Sequence, residues 1–142
     1  MITLGQLLEG KGSAVYSVVA DAQVIEAVRT MAEKHVGALL VMEGARLIGV
    51  VSERDYARKC VLMGRSSADT PVRDIMSAPV ISITPGETVE DAMRVMTQQR
   101  IRHLPVIEAG KIHGVVSIGD LVKSVIEDQR HLIEDLQTYI RG

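Results

Sequence analysis

Two stretches of the chain are short runs in which apolar residues alternate with others, VYSVV at 15–19 and VISIT at 80–84. Each ends in turn residues, AD or PG, and each predicts a strand. Apolar residues then recur at helical spacing: Val24, Ala27, Val28 and Met31, and later Val89, Ala92, Met93 and Met96. Thr88, with Asp91 three places on, predicts a capping box at the second of these helices. The runs ALLVM and HLPVI follow, then the turns EGAR and EAGK, then LIGVV and IHGVV. These predict two hairpins of buried strands. A further helix is expected after each of Ser52 and Ser117. The order is β-α-β-β-α, twice.

The two halves are copies. Residues 15–56 lie on residues 80–121 without a gap, and 14 of the 42 aligned positions are identical. About two or three identities would arise by chance at ordinary composition. The longest shared run is GVVSERD (49–55) against GVVSIGD (114–120). An internal duplication accounts for this. The methionines on the predicted helices read as core filler.

Outside the copies, GRSSADTPVRDIMSAP carries Gly64 as a helix stop, Pro71 and Pro79 as boundaries, and VRDIM as a short helix feeding the second copy. TLGQLL near the start is the candidate counterpart of that helix. Beyond the second copy, apolar residues continue at helical spacing from Leu121 to Ile140 with no Gly or Pro between them. A half-apolar helix of that kind needs a covering surface. The expected division is 1–66 for the first copy with an N-terminal helical segment and 67–79 for a linker with a short helix. Residues 80–128 form the second copy, and 129–142 a C-terminal helical extension.

A chain of 142 residues is one domain or two small halves sharing a core. Its single Cys60 allows no internal disulfide and no zinc cage. The N-terminus lacks the layout of a secretory signal, and no apolar stretch approaches bilayer length. A soluble protein of a reducing cytoplasm is expected, with no membrane partner. Net charge is -2, with no Trp or Phe and three Tyr. Nucleic-acid binding is not expected, since single-strand readers combine basic grooves with stacking rings. His35, His113 and His131 show no metal-ligand spacing. No Ser-His-acid set or paired carboxylates stand out, and Cys60 has no evident base, so no enzyme is expected.

The Gly-Val-Val-Ser-x-x-Asp frame has two readings. In the first, Ser52 with Asp55 and Ser117 with Asp120 are capping boxes and nothing more. In the second, the helix mouth and the Ser hydroxyl favour an anion. An acid one turn in would repel a phosphate but suits a vicinal diol, as acidic residues suit ribose in dinucleotide folds. Ser for phosphate and Asp for ribose describe a nucleotide.

The duplicated β-α-β-β-α order and the paired frames resemble a cystathionine-β-synthase (CBS) domain pair, the Bateman module, over nearly the whole chain. The resemblance implies an α/β fold of tandem repeats packed about a pseudo-two-fold through their sheets, with clefts for an adenine nucleotide. It implies that Asp55 and Asp120 hold ribose, that Ser52 and Ser117 lie near phosphate, and that Tyr16 and Ile81 flank adenine. It also implies a crossed arrangement. Arg102 and His103, aligned with Gly37 and Ala38, would join Ser52, Arg54 and Asp55 in one cleft. Gly37 and Ala38 would join Ser117, Gly119 and Asp120 in the other. The first cleft would then hold phosphate more strongly.

The expected function is a non-catalytic regulatory module sensing AMP, ADP, ATP or NAD(H), acting as a homodimer on an unidentified partner protein. The competing expectation is an interaction scaffold with degenerate clefts.

Overall fold

The computed structural model describes residues 1–141 and divides into two compact units, residues 15–81 and residues 1–14 with 82–141. In the first unit β1 (Ser17–Val19) runs parallel to β2 (Ala38–Glu43), which pairs antiparallel with β3 (Arg46–Ser52). Helix α2 (Val24–Lys34) buries Val24, Ala27 and Met31, the positions its periodicity singles out. Leu39 and Val41 of β2, Val51 of β3 and Cys60 complete that core with Val72 and Ile75. The last two come from the segment between the copies.

That segment serves the first copy. Val72 N donates to Ala22 O at 2.8 Å, and Ser77 and Val50 exchange backbone hydrogen bonds of 2.8 and 3.1 Å. Gly49 makes this approach possible. A Cβ there would stand 2.6 Å from Met76 Sδ and 3.2 Å from the Ser77 carbonyl oxygen. The glycine of the repeated frame is therefore set by packing against a third strand of chain, beyond any need of the hairpin.

The second unit repeats the device with a different piece of sequence. Helix α1 (Leu4–Lys11), capped reciprocally by Thr3 and Gln6, lies on the second copy. Leu4 N donates to Glu87 O and Val89 N to Ile2 O. Leu8 sits where Met76 sits in the first unit: a Cβ on Gly114 would lie 2.8 Å from Leu8 Cδ2. Sequence adjacency assigned the N-terminal helix to the first copy and VRDIM to the second. The contacts reverse both assignments, because each copy is covered by the segment that precedes the other.

Helix α4 (Val89–Gln99) starts in the expected Thr88–Asp91 capping box. Strands β4 (His103–Glu108) and β5 (Lys111–Ser117) form an antiparallel pair. The strand expected at 80–84 shrinks to one bridge, Ile83 to Val106. The cause is legible at Pro105. In the first copy Leu40 N donates to Tyr16 O at 3.1 Å. The matching donor in the second copy is Pro105, which has no N–H. Helix α5 runs unbroken from Ile118 to Arg141.

Candidate functional site

Each hairpin delivers its frame to a corner where a strand ends and a helix begins. At the first corner Ser52 caps helix α3 (Glu53–Asp55), which continues as the π-helical turn Tyr56–Val61. Asp55 N donates to Ser52 Oγ at 3.1 Å, and Ser52 N and Oγ donate to Asp55 Oδ2 at 2.9 and 3.0 Å. The other carboxylate oxygen is also taken, by Ser77 Oγ at 3.2 Å and Lys59 Nζ at 3.1 Å. The Asp55 side chain retains 12% exposure.

The second corner has the same cap and a different clamp. Ser117 N donates to Asp120 Oδ2 at 2.8 Å and Asp120 N to Ser117 Oγ at 3.1 Å. Lys11 Nζ, from α1, reaches Asp120 Oδ2 and the Val115 carbonyl, each at 2.6 Å. Asp120 is 23% exposed. Partial burial pushes its carboxyl up. The hydrogen bond and charge of Lys11, with the Ser117 amide and hydroxyl, outweigh this and hold it below the ordinary carboxylate range.

Beside this corner, between α1 and α5, opens a cavity of about 630 Å³ lined by Gln6, Lys11, Asp120, Lys123, Ser124 and Glu127 among others. Its wall presents two carboxylates, Asp120 and Glu127, and two ammonium groups, Lys11 and Lys123. Among the described residues no group of three or more His, Cys, Asp or Glu is gathered as metal ligands.

Both frames are thus capping boxes, as the first reading of the sequence has it, whatever else they do. Hairpin pairing seats Ala38 opposite Ser52, and Glu53 N donates to Gly37 O at 3.0 Å. It likewise seats His103 opposite Ser117, while Ile118 N donates to Arg102 O at 2.9 Å. Both sets of contacts are pairings within one unit. Arg54 and Gly119 occupy the first turns of α3 and α5. Tyr16 lies beside Leu40 through the hydrogen bond already described, with Lys34 Nζ 5.4 Å from its ring centre. Ile81 ends the first unit, just ahead of the bridge at Ile83.

Three clamp residues escaped the sequence reading: Lys59, Ser77 and Lys11. Lys59 was findable, since it follows Asp55 by one helical turn. Ser77 and Lys11 become visible only once the covering segments are assigned to the right copies.

The family profile for the CBS domain matches residues 13–61 and 72–127. CBS domain-containing protein CBSX3, mitochondrial, of Arabidopsis thaliana is 40% identical over 149 residues, covering 99% of this chain and 72% of the plant protein. The solved structure of a CBS-domain protein from Burkholderia ambifaria MC40-6 superposes with a TM-score of 0.86 at 48% identity, over 89% of this chain and 96% of that one. A hexameric CBS-CP12 protein from bloom-forming cyanobacteria gives 0.77 at 27% identity, over 86% of this chain and 70% of its own. With two matched repeats, the observed topology and these relatives in agreement, the chain belongs to the CBS domain family as a tandem pair.

Proposed function

We propose that this CBS pair is a non-catalytic regulatory module that takes an adenine nucleotide, AMP, ADP, ATP or NAD(H), and passes its occupancy to a partner protein in the cytoplasm. The observation that carries this reading is the second corner. Asp120 is kept ionised at a helix mouth, beside a cavity of about 630 Å³ whose wall also presents Lys11 and Lys123. A carboxylate accepts two hydrogen bonds from a vicinal diol, and ammonium groups make charge-assisted bonds to phosphate. The volume falls in the range of small-molecule pockets, roughly 300–1,000 Å³. Regulation requires that the nucleotide prefer one conformational state over another. Self-association into a homodimer is part of the same reading.

Calorimetry with AMP, ATP and NAD, repeated on Asp120→Ala, tests it. Binding that Asp120→Ala removes supports the reading; no heat from any of the three at millimolar concentration refutes it.

One observation favours an interaction scaffold instead. Both frame carboxylates already have a lysine on them, Lys59 on Asp55 and Lys11 on Asp120. The scaffold reading expects no thermal shift with nucleotide. The sensor reading expects stabilisation of about 2.7 kcal/mol at one hundred times Kd.

A further inference from the structure

From Ile126 to Arg141 every position of α5 is exposed. Isolated helices shorter than about 12–15 residues are marginal in water, and slightly longer ones gain little. This one also carries its apolar side chains in a defined order. Val122, Ile126, Gln129, Ile133, Leu136 and Ile140 follow one another at alternating steps of four and three. That is the a/d seam of a coiled coil. Val125, Leu132 and Tyr139 run along one flank of the seam, and Lys123, Arg130 and Gln137 along the other.

We propose that α5 pairs with α5 of a second copy of this chain as a two-stranded antiparallel coiled coil centred on residue 131. The seam residues pair two-fold symmetrically in that register. Val122 meets the partner's Ile140, Ile126 the partner's Leu136, and Gln129 the partner's Ile133. A two-fold interface of this kind uses the same patch on both copies.

The flanks decide the direction. Antiparallel pairing lays the apolar flank on itself: Leu132 faces the partner's Leu132, and Val125 the partner's Tyr139. Parallel pairing would set Val125 against the partner's Arg130 and Leu132 against the partner's Gln137. Apolar surface would then be buried against polar groups, which is unfavourable. The charges permit close approach. Lys123, Arg130 and Arg141 face a nearly equal number of acids, Glu127, Asp128, Glu134 and Asp135. Arg130, which comes near its own counterpart at the axis, has Glu127 and Glu134 one turn away on either side within its own helix.

Sedimentation equilibrium on the full chain provides the first arm. Ile133→Glu places a charge in the seam and weakens self-association at least tenfold in Kd (order of magnitude). Thermal unfolding of the rest of the chain stays unchanged, because Ile133 is exposed in the single chain. Truncation after Gln129 gives the same result without adding a charge. A second arm reads direction from spin-label distances at His131→Cys and Thr138→Cys, both on the outer face. The native Cys60 is buried. Antiparallel pairing separates the 138 labels by about 21 Å along the axis and the 131 labels by about zero. A chain that stays monomeric at tens of micromolar overturns the proposal. So does association indifferent to Ile133→Glu, and so do equal distances at the two labelled positions.

Discussion

Lys11 Nζ lies 2.6 Å from Asp120 Oδ2, joining the first helix of the chain to the mouth of the last across 109 residues of sequence. The same ammonium caps the Val115 carbonyl. One side chain therefore fastens α1 to the second copy and occupies the carboxylate proposed above for a ribose. Lys11→Met keeps the stem and removes the charge. The pair is well exposed on the lysine side, at 39%, so screening limits the loss to about 0.5–1 kcal/mol. Adenosine should bind Lys11→Met more tightly than it binds the parent, since the ammonium then no longer competes for Asp120 Oδ2. AMP should gain less, because the variant also lacks a cation for the phosphate. Parallel titrations of the two ligands check this, and an equal change in both would contradict it.

Acid should loosen the second unit through the same group. Asp120 has a folded pKa below its ordinary value of 3.8. A depressed carboxylate contributes stability that is complete above the unfolded pKa and disappears as pH falls through the folded one. Urea unfolding should therefore show constant Asp120-dependent stability from pH 7 down to about pH 5, and a decline below about pH 4. In Asp120→Asn that acid limb becomes shallower. Asp91, lowered mainly by the Thr88 amide and then by its hydroxyl, keeps a residual slope of the same sign. An unchanged slope in Asp120→Asn would count against the assignment.

How far the sequence carried can be judged at single residues. Val24, Ala27 and Met31 declared their helix face, and Thr88 with Asp91 declared a cap, because those signals are local. Pro105 could have been read as a lost donor, but only after its partner was known to be the segment at 81. Leu4, Leu8, Val72 and Ile75 look alike in pattern, and nothing local says which copy each covers. Adjacency gave the wrong answer because the segments exchange places. The corners suffered the same limit. Ser52 with Asp55 was visible as a pair, whereas Ser77 and Lys11 reach the carboxylates from distant chain.

The two frame glycines should be intolerant of the smallest side chain for the same reason. Gly49→Ala forces its methyl against Met76 and the Ser77 carbonyl, and Gly114→Ala against Leu8. Overpacking of this kind costs about 1–3 kcal/mol. The Gly49 change should cost more, since one of its neighbours is backbone and cannot swing away. Leu8→Ala should remove much of the penalty of Gly114→Ala in a double-mutant cycle on urea unfolding. Additive losses in that cycle would show that Leu8 is not the obstacle.

The two corners should respond differently to loss of their carboxylates. Asp55 is tied by Ser52, Ser77 and Lys59 on both oxygens and keeps 12% exposure, while Asp120 keeps 23% and adjoins the cavity. Asp55→Ala strips half of a capping box and one side-chain tie to Ser77, so its main effect should be on stability, by about 1–2 kcal/mol. Asp120→Ala should cost less stability and more nucleotide affinity. The family resemblance points the other way, toward stronger phosphate binding at Asp55 with help from Arg54, Arg102 and His103. Within the second unit, hairpin pairing makes Arg102 and His103 backbone neighbours of Ser117 and Ile118, and Lys11 and Lys123 lie on the Asp120 side. Lys123→Ala and Arg102→Ala separate the two arrangements when each is titrated with AMP and adenosine in the Asp55→Ala and Asp120→Ala backgrounds. If phosphate is held at Asp120, the preference for AMP over adenosine survives in Asp55→Ala, is lost in Asp120→Ala, and is weakened by Lys123→Ala. Loss of that preference in Asp55→Ala, with Lys123→Ala silent, would return the phosphate to the first corner.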